Sequence, residues 1–548
     1  MRMHTGAQRR ALLVLMMTAA FAVSAQDKLL TVAESSQYTA TSTYSEVMDF
    51  IHALQQQASD LRVEHLCTST EGRWIPLLVI GNPVPAAPRD LKRDKRGVLY
   101  IQANIHAGEV EGKEACLMLV RDILTDPAKP YLDDLVILVA PIFNADGNDR
   151  ISKNNRRNQK GPEGGVGIRY NGQNLDLNRD AMKMESPEVQ GLIRTVLNRW
   201  DPFLLIDCHT TNGSYHIEPV TYVWGLNPNT GPSIMAHMRD QMMPAIQKNL
   251  KKEHNVLAIP YGNFMSYQDP SKGWSPAGPQ PRFITNYIGL RNRLAILLEN
   301  YAYADYKTRV LGCYAFLKET IEYCAENIAL IKDLVREADR ETLMRGLKGS
   351  ETDSLIIEYD VRPWDKKISI IGYEMKVTPR EGGRPRVERT DKTKKYTLPF
   401  YCNYFSKRSI RYPAGYFITL PDPEIESLLV DHGIVTEKLT APVTVEVEAF
   451  QIETLQGGER PYQGHHMNTI KGQYKTLEKT FPGGTLFVST AQPLGTLAAY
   501  LLEAESDDGM VVWNMLDRYL VPQWRRQYLD YPIYRLLKPV TLVKQTVN

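Results

Sequence analysis

The stretch Gly97–Lys113, GVLYIQANIHAGEVEGK, constrains the fold of this chain more than any other. Its first part, Val98–Ile105, reads as a strand buried on both faces, the kind found inside a parallel sheet. The run breaks at His106-Ala-Gly-Glu109. Glu109–Leu124 then reads as a helix with an apolar stripe at Val110, Ala115, Leu117, Val120 and Leu124. His106 and Glu109 are therefore expected on the turn leaving a central strand, where an α/β sheet places its ligands. An imidazole and a carboxylate three residues apart can face one cation with nitrogen and oxygen ligands. The same pair also suits a plain helix start, with Glu109 favoured in the first turn by the helix dipole. The metal reading needs support from elsewhere in the chain.

That support comes from the order of elements. Arg62–Cys67 and Trp74–Ile80 read as paired strands, and Leu135–Pro141, Phe203–Cys208 and Leu294–Leu298 as further buried ones. They alternate with helical segments at Tyr44–Ser59, Pro187–Trp200 and Ser233–Lys251, and with a long helical region reaching about Leu347. Strands alternating with helices imply an α/β fold, a mostly parallel or mixed sheet covered by helices on both faces. The Gly-, Asn- and Arg-rich loop 144–170 is too long to be a mere connection, and such loops are usually functional.

A catalytic zinc needs a third protein ligand and an open position. His209 ends the buried strand Phe203–Cys208, with His216, seven residues on, as the alternative. Glu299 ends the apolar run Leu294–Leu298, where burial would raise its pKa toward the range of a general base.

His106-x-x-Glu109, Asn144-Ala-Asp-Gly147, Asn178-Arg179, His209 and Glu299, in that order, resemble the zinc carboxypeptidases of the M14 (carboxypeptidase A-like) family over roughly residues 40–335. The segments NIHAGEVEGKEA, NLDLNRD and DCHTTNGSYH resemble exported bacterial members. The resemblance implies one Zn2+ per chain, held by His106, Glu109 and His209 with a water in the fourth position. Asp176 would then accept a hydrogen bond from the distal nitrogen of His106. Glu299 would take the proton of the zinc-activated water and return it to the leaving amine. Asn178 and Arg179 would bind the substrate's terminal carboxylate, which a guanidinium fork matches in two hydrogen bonds. Arg156, chosen over Arg157 by its place in Asn155-Arg-Arg-Asn158, would polarise the scissile carbonyl. The family's mobile tyrosine has two candidates, Tyr267 and Tyr287, neither in a matching neighbourhood.

The expected activity is metallocarboxypeptidase hydrolysis of peptides or peptide-like substrates with a free C-terminal carboxylate. Two alternatives share these residues. One is an amidase of the same fold acting on peptidoglycan stem peptides or N-acyl amino acids. The other is a catalytically inactive binding protein.

The remaining sequence sets the context. Residues 1–25 follow the plan of a secretory signal peptide: Arg2, Arg9 and Arg10, then the apolar stretch Ala11–Val23, then a small-residue site at 23–25. The mature chain is expected to begin near Gln26 and to work in a periplasm or outside the cell. No later stretch reaches the about 18 uncharged apolar residues of a membrane span. With 65 basic and 63 acidic residues the net charge is +2, which argues against nucleic acid as a partner. The six cysteines, 67, 116, 208, 313, 324 and 402, are scattered and expected mostly as buried free thiols. Residues 26–348 are expected to form the catalytic domain and 349–548 a mainly β domain of unknown role, with helical pieces at 424–432 and 494–503. Within it, Ser489–Glu503, Ser506-Asp-Asp-Gly509 and Trp513-Asn514 look like a stretch that follows some bacterial M14 domains. His465-His466 reads as a solvated loop pair rather than a metal site.

Overall fold

A computed structural model describes residues 28–547 apart from 93–94, 130, 350–352, 381–385, 523 and 525–526. The signal-peptide reading of residues 1–25 lies outside the described residues. Eight strands form the central sheet: β1 Leu61–Thr68, β2 Trp74–Ile80, β3 Gly97–Ala103, β4 Leu135–Ala140, β5 Leu204–Thr211, β6 Val220–Trp224, β7 Ala258–Pro260 and β8 Leu294–Tyr301. Their order is β1-β2-β4-β3-β5-β8-β6-β7. The run β4-β3-β5-β8 is parallel, and β1, β2 and β6 add antiparallel neighbours, so the sheet is mixed. Every residue of β3 and β4 is buried, as the unbroken apolar runs demand of strands covered on both faces.

Two differences from the sequence reading bear on the site. The helix after β3, α1 Glu111–Thr125, begins two residues later than expected, and Glu109 precedes it. The Glu109 carboxylate is turned away from the helix N-terminus and accepts from the Thr210 backbone N–H at 2.9 Å. The strands β5 and β8 run past the expected ends, to Thr211 and Tyr301, because the two keep pairing there. His209 and Glu299 therefore sit inside adjacent parallel strands, directly opposite one another in register.

Local backbone chemistry shapes the ligand turn. Asn104 adopts a left-handed conformation (φ 67°), which an Asn tolerates by bonding locally, and its amide donates to the Ala107 carbonyl at 3.1 Å. Gly112 lets α1 lie close on the sheet: a Cβ there would meet Cys208 Cβ at 2.6 Å and Ala103 Cβ at 3.2 Å.

Beyond the helix Ile328–Lys348 the chain is mainly β: two two-stranded ribbons and a seven-stranded antiparallel sheet. One continuous hydrophobic core joins this part to the α/β part, running from Val47 and Ile51 to Trp513 and Tyr531. All six cysteines are free, five of them buried. Among the described residues no helix is long and apolar enough to cross a membrane.

Gly112→Val should force α1 off the sheet, and overpacking of this kind costs about 1–3 kcal/mol. The urea midpoint should fall accordingly; an unchanged midpoint would show that the close approach is not needed.

Candidate active site

Three side chains expected as ligands converge. The Nδ1 atoms of His106 and His209 lie 3.1 Å apart, Glu109 Oε1 is 3.1 Å from His106 Nδ1, and Glu109 Oε2 is 3.0 Å from His209 Nδ1. All three residues are buried, and among the described residues no other cluster of this kind could hold a metal. Behind each ring stands a carboxylate. Asp176 Oδ1 is 3.0 Å from His106 Nε2, and Asp207 Oδ2 is 2.8 Å from His209 Nε2. These partners assign the protons to the Nε2 atoms, so each Nδ1 offers a lone pair to the common point. Two such lone pairs and a carboxylate within hydrogen-bond range repel one another unless a proton or a metal ion lies among them. The donor set of two imidazoles and one carboxylate suits zinc with an open position.

The surrounding charges also act on these groups. Burial opposes a charge on Asp176, but His106 and Arg169 outweigh it and hold the carboxyl well below its ordinary range. Burial opposes the charge on Glu109 too, and there His106 and Arg156 prevail, with the same result. Burial disfavours a charged His209, but Asp207 and Glu109 lift the ring well above the ordinary imidazole range, which makes it a stronger donor.

Glu299 faces the same cavity of about 180 Å³, which His106, Glu109, Asn178, Arg179 and His209 also line. Its Oε2 is buried without a hydrogen-bond partner. Burial pushes this carboxyl up to about 8, with Glu109 adding to the rise. A carboxyl tuned near neutrality can both take and return a proton.

The two candidate arginines part company. Arg156 lines the cavity and donates from Nη1 to Glu109 Oε1 (2.9 Å), from Nη2 to the Thr210 carbonyl (2.7 Å) and from Nε to Gln159 (2.7 Å). Arg157 is exposed and reaches Asn154 at 3.3 Å. Gly108 makes room for Arg156, since a Cβ there would meet Arg156 Cδ at 2.7 Å. Arg179 lies over the Phe283 ring at 4.3 Å and donates from Nη1 to the Asn178 carbonyl at 2.7 Å. Asn178 Oδ1 accepts from the Ile284 N–H at 2.9 Å, which turns its amide nitrogen toward His209 Nε2, 3.5 Å away.

Other expected positions fall elsewhere. His216 stacks on Tyr301 with ring centroids 3.9 Å apart, outside the ligand trio. Asp146 of the Asn144–Gly147 motif accepts from Ser69 Oγ (2.6 Å), the Glu71 N–H (3.0 Å) and Arg73 (2.8 Å), and so pins the β1–β2 turn. Tyr267 is exposed, and Tyr287 is buried with its hydroxyl on His432 Nδ1 at 2.7 Å; neither lines the cavity, whereas Tyr261 does. His465 bonds to Glu185 and His466 to the Gly458 carbonyl, both at 2.7 Å.

Sequence reasoning missed Asp207 and Arg169. The signal for Asp207 was present, because residues two apart in a strand share a face and Asp207 stands two before His209. Arg169, which bonds to Asp176 at 2.8 Å, sits in an aperiodic loop and carried no such signal.

Residues 47–254 match the family model of the zinc carboxypeptidases, Peptidase_M14. No curated protein matches the sequence. Among solved structures, the metallo-carboxypeptidase of Burkholderia cenocepacia is similar at 17% identity and a TM-score of 0.39, over 53% of this chain and 70% of that one. A metallo-carboxypeptidase from Pseudomonas aeruginosa, solved with (2-guanidinoethylmercapto)succinic acid, is similar at 16% and 0.38, over 53% and 70%. Bovine thrombin-activatable fibrinolysis inhibitor in complex with tick carboxypeptidase inhibitor stands at 14% and 0.37, over 53% and 99%. The class defined by the family match and the ligand trio is that of the zinc metallopeptidases. More particularly, this chain carries an M14 zinc carboxypeptidase domain at residues 47–254, a family that uses Zn2+.

Asp176→Ala and Asp207→Ala should each weaken zinc binding by about 10–100-fold, since such partners orient and strengthen the ligating rings. Competition with a chromophoric chelator measures this. Unchanged affinity in both variants would mean that the carboxylates do not serve the metal.

Proposed function

We propose that the chain is a metallocarboxypeptidase that removes C-terminal residues from peptides, with Glu299 as general base. The observation that carries this reading is a single small cavity lined by the ligand trio, by the buried residue Glu299, whose Oε2 lacks a partner, and by the Asn178-Arg179 pair. Zinc held by His106, Glu109 and His209 would supply a Lewis acid for the scissile carbonyl and make the attacking water more acidic.

The protein's own groups do the rest. Glu299 takes a proton from the attacking water and later delivers it to the leaving amine. Three of the five N–H protons of Arg156 are engaged by Glu109, Thr210 and Gln159, which fixes the guanidinium and leaves the others for charge developing on the carbonyl oxygen. Arg179, held flat on Phe283, receives the terminal carboxylate together with Asn178. A carboxylate anchor beside the reacting centre admits only the last residue of a peptide, which makes the activity exopeptidolytic. The leader-like residues 1–25 support action in a periplasm or outside the cell.

Glu299→Gln should retain zinc and lose at least about 100-fold in kcat, the usual scale of general acid–base catalysis. Retained turnover would remove its role as base. Arg179→Ala should lower kcat/KM for peptides with a free C-terminus far more than for amidated ones. Equal losses on both would favour an amidase or endopeptidase.

A further inference from the structure

The carboxylate anchor is touched by a segment far away in the chain. The strands Val443–Gly457 and Asn468–Phe481 pair along their length as an antiparallel hairpin, and residues 458–467 form its tip. There Tyr462 and His465 exchange backbone hydrogen bonds of 2.8 and 3.1 Å around a two-residue turn. Gln463 (φ 53°) and Gly464 (φ 84°) are both left-handed, as a type I′ turn requires. Glycine adopts this freely, whereas for Gln463 it is unfavourable and marks a constrained position. The conformation aims the Gln463 side chain outward, and its Oε1 accepts from the Asp176 backbone N–H at 2.8 Å. The neighbouring Tyr462 hydroxyl accepts from Arg179 Nε, also at 2.8 Å.

The tip is fixed in this pose from several sides. His465 pairs with Glu185 at 2.7 Å. The Tyr462 ring stacks near Trp513 (6.4 Å between centroids, 25° between planes), and Arg282 lies 5.8 Å over it while paired with Asp508 at 3.0 Å. Phe283, the Asn178 carbonyl and Tyr462 together define the plane and rotation of the Arg179 guanidinium. Among the described residues Nη2 makes no hydrogen bond to protein, and Arg179 lines the catalytic cavity.

We propose that this hairpin tip is a working part of the carboxylate subsite, with Tyr462 a positioning residue that holds Arg179 ready for the substrate's terminal carboxylate. The proposal rests on the reading of Arg179 as the carboxylate anchor. It gives the β part of the chain a role in substrate binding. Arginine side chains lose much rotamer freedom when fixed, and a partner on Nε removes that cost before substrate arrives.

The test uses full-length, zinc-loaded protein and N-acylated dipeptides with free or amidated C-termini. Tyr462→Phe keeps the ring against Trp513 and deletes the hydroxyl. It should raise KM for the best-cleaved free-acid dipeptide about tenfold, the scale of a hydrogen bond to a charged group. Its kcat should change less than about threefold, and its zinc content and cleavage of the amidated dipeptide should stay as in the parent. In Arg179→Ala the additional Tyr462→Phe change should have no further effect, because the hydroxyl acts through that guanidinium. Calorimetric binding of the free-acid dipeptide to Glu299→Gln, with and without Tyr462→Phe, should show the same tenfold weakening. A raised KM in Arg179→Ala beside a parental KM in Tyr462→Phe would overturn this proposal alone. A parental KM in Arg179→Ala would overturn the anchor reading and this proposal with it. A lowered KM in Tyr462→Phe would make the hydroxyl a competitor of the substrate and overturn the positioning role.

Discussion

The structure is arranged around the mutual repulsion of His106, Glu109 and His209. Two ring nitrogens with their lone pairs turned inward and a carboxylate are gathered within about 3 Å of one another on the wall of a small cavity. A divalent cation turns that repulsion into coordination, and most of the surroundings serve to keep it directed inward. Asp176 and Asp207 hold the outer nitrogens protonated, while Arg156 and the Thr210 N–H steady Glu109. Burial raises the pKa of Glu299, while Glu109 and Asp176 are held well below the ordinary carboxyl range. Glu109 and Asp176 are thus favoured as carboxylates and Glu299 as the acid, a division set by environment and not by residue type.

The sheet makes this gathering possible. His106 and Glu109 leave the end of β3, while His209 and Glu299 come from β5 and β8, which are consecutive neighbours in the sheet. Parallel pairing places the C-terminal ends of these strands side by side, so residues about 100 to 190 positions apart in sequence meet without any long-range strain. Close approach of α1 through Gly112 and of the 144–170 loop through Gly108 then closes the site from two sides.

Much of this was legible in the sequence for a physical reason. The strands that carry the site are buried on both faces and so read as unbroken apolar runs, and polar residues at their ends stand out against them. His106, His209 and Glu299 belong to that class, whereas the ligand set as a whole, with Glu109, was implied by the family resemblance. What escaped reading lacked such contrast. The strands Val220–Trp224 and Ala258–Pro260 are too short to show a period, and the ribbon strand Arg386–Leu398 is mostly exposed and carries charges on both faces. Tyr462 and Gln463 reach Arg179 and Asp176 across more than 280 residues, and no local pattern records such a contact. Tyr267 and Tyr287 show the reverse case: both lie in the interval where a tyrosine was expected, yet folding leaves one exposed and buries the other.

X-ray absorption at the zinc edge on the metal-loaded full-length protein tests the central claim most directly. The account predicts one zinc per chain, bound by two imidazoles and by oxygen with metal–nitrogen distances of about 2.0–2.1 Å, and no sulfur neighbour. Sulfur in the first coordination sphere, fewer than two imidazoles, or an unchanged spectrum in His209→Ala would contradict it.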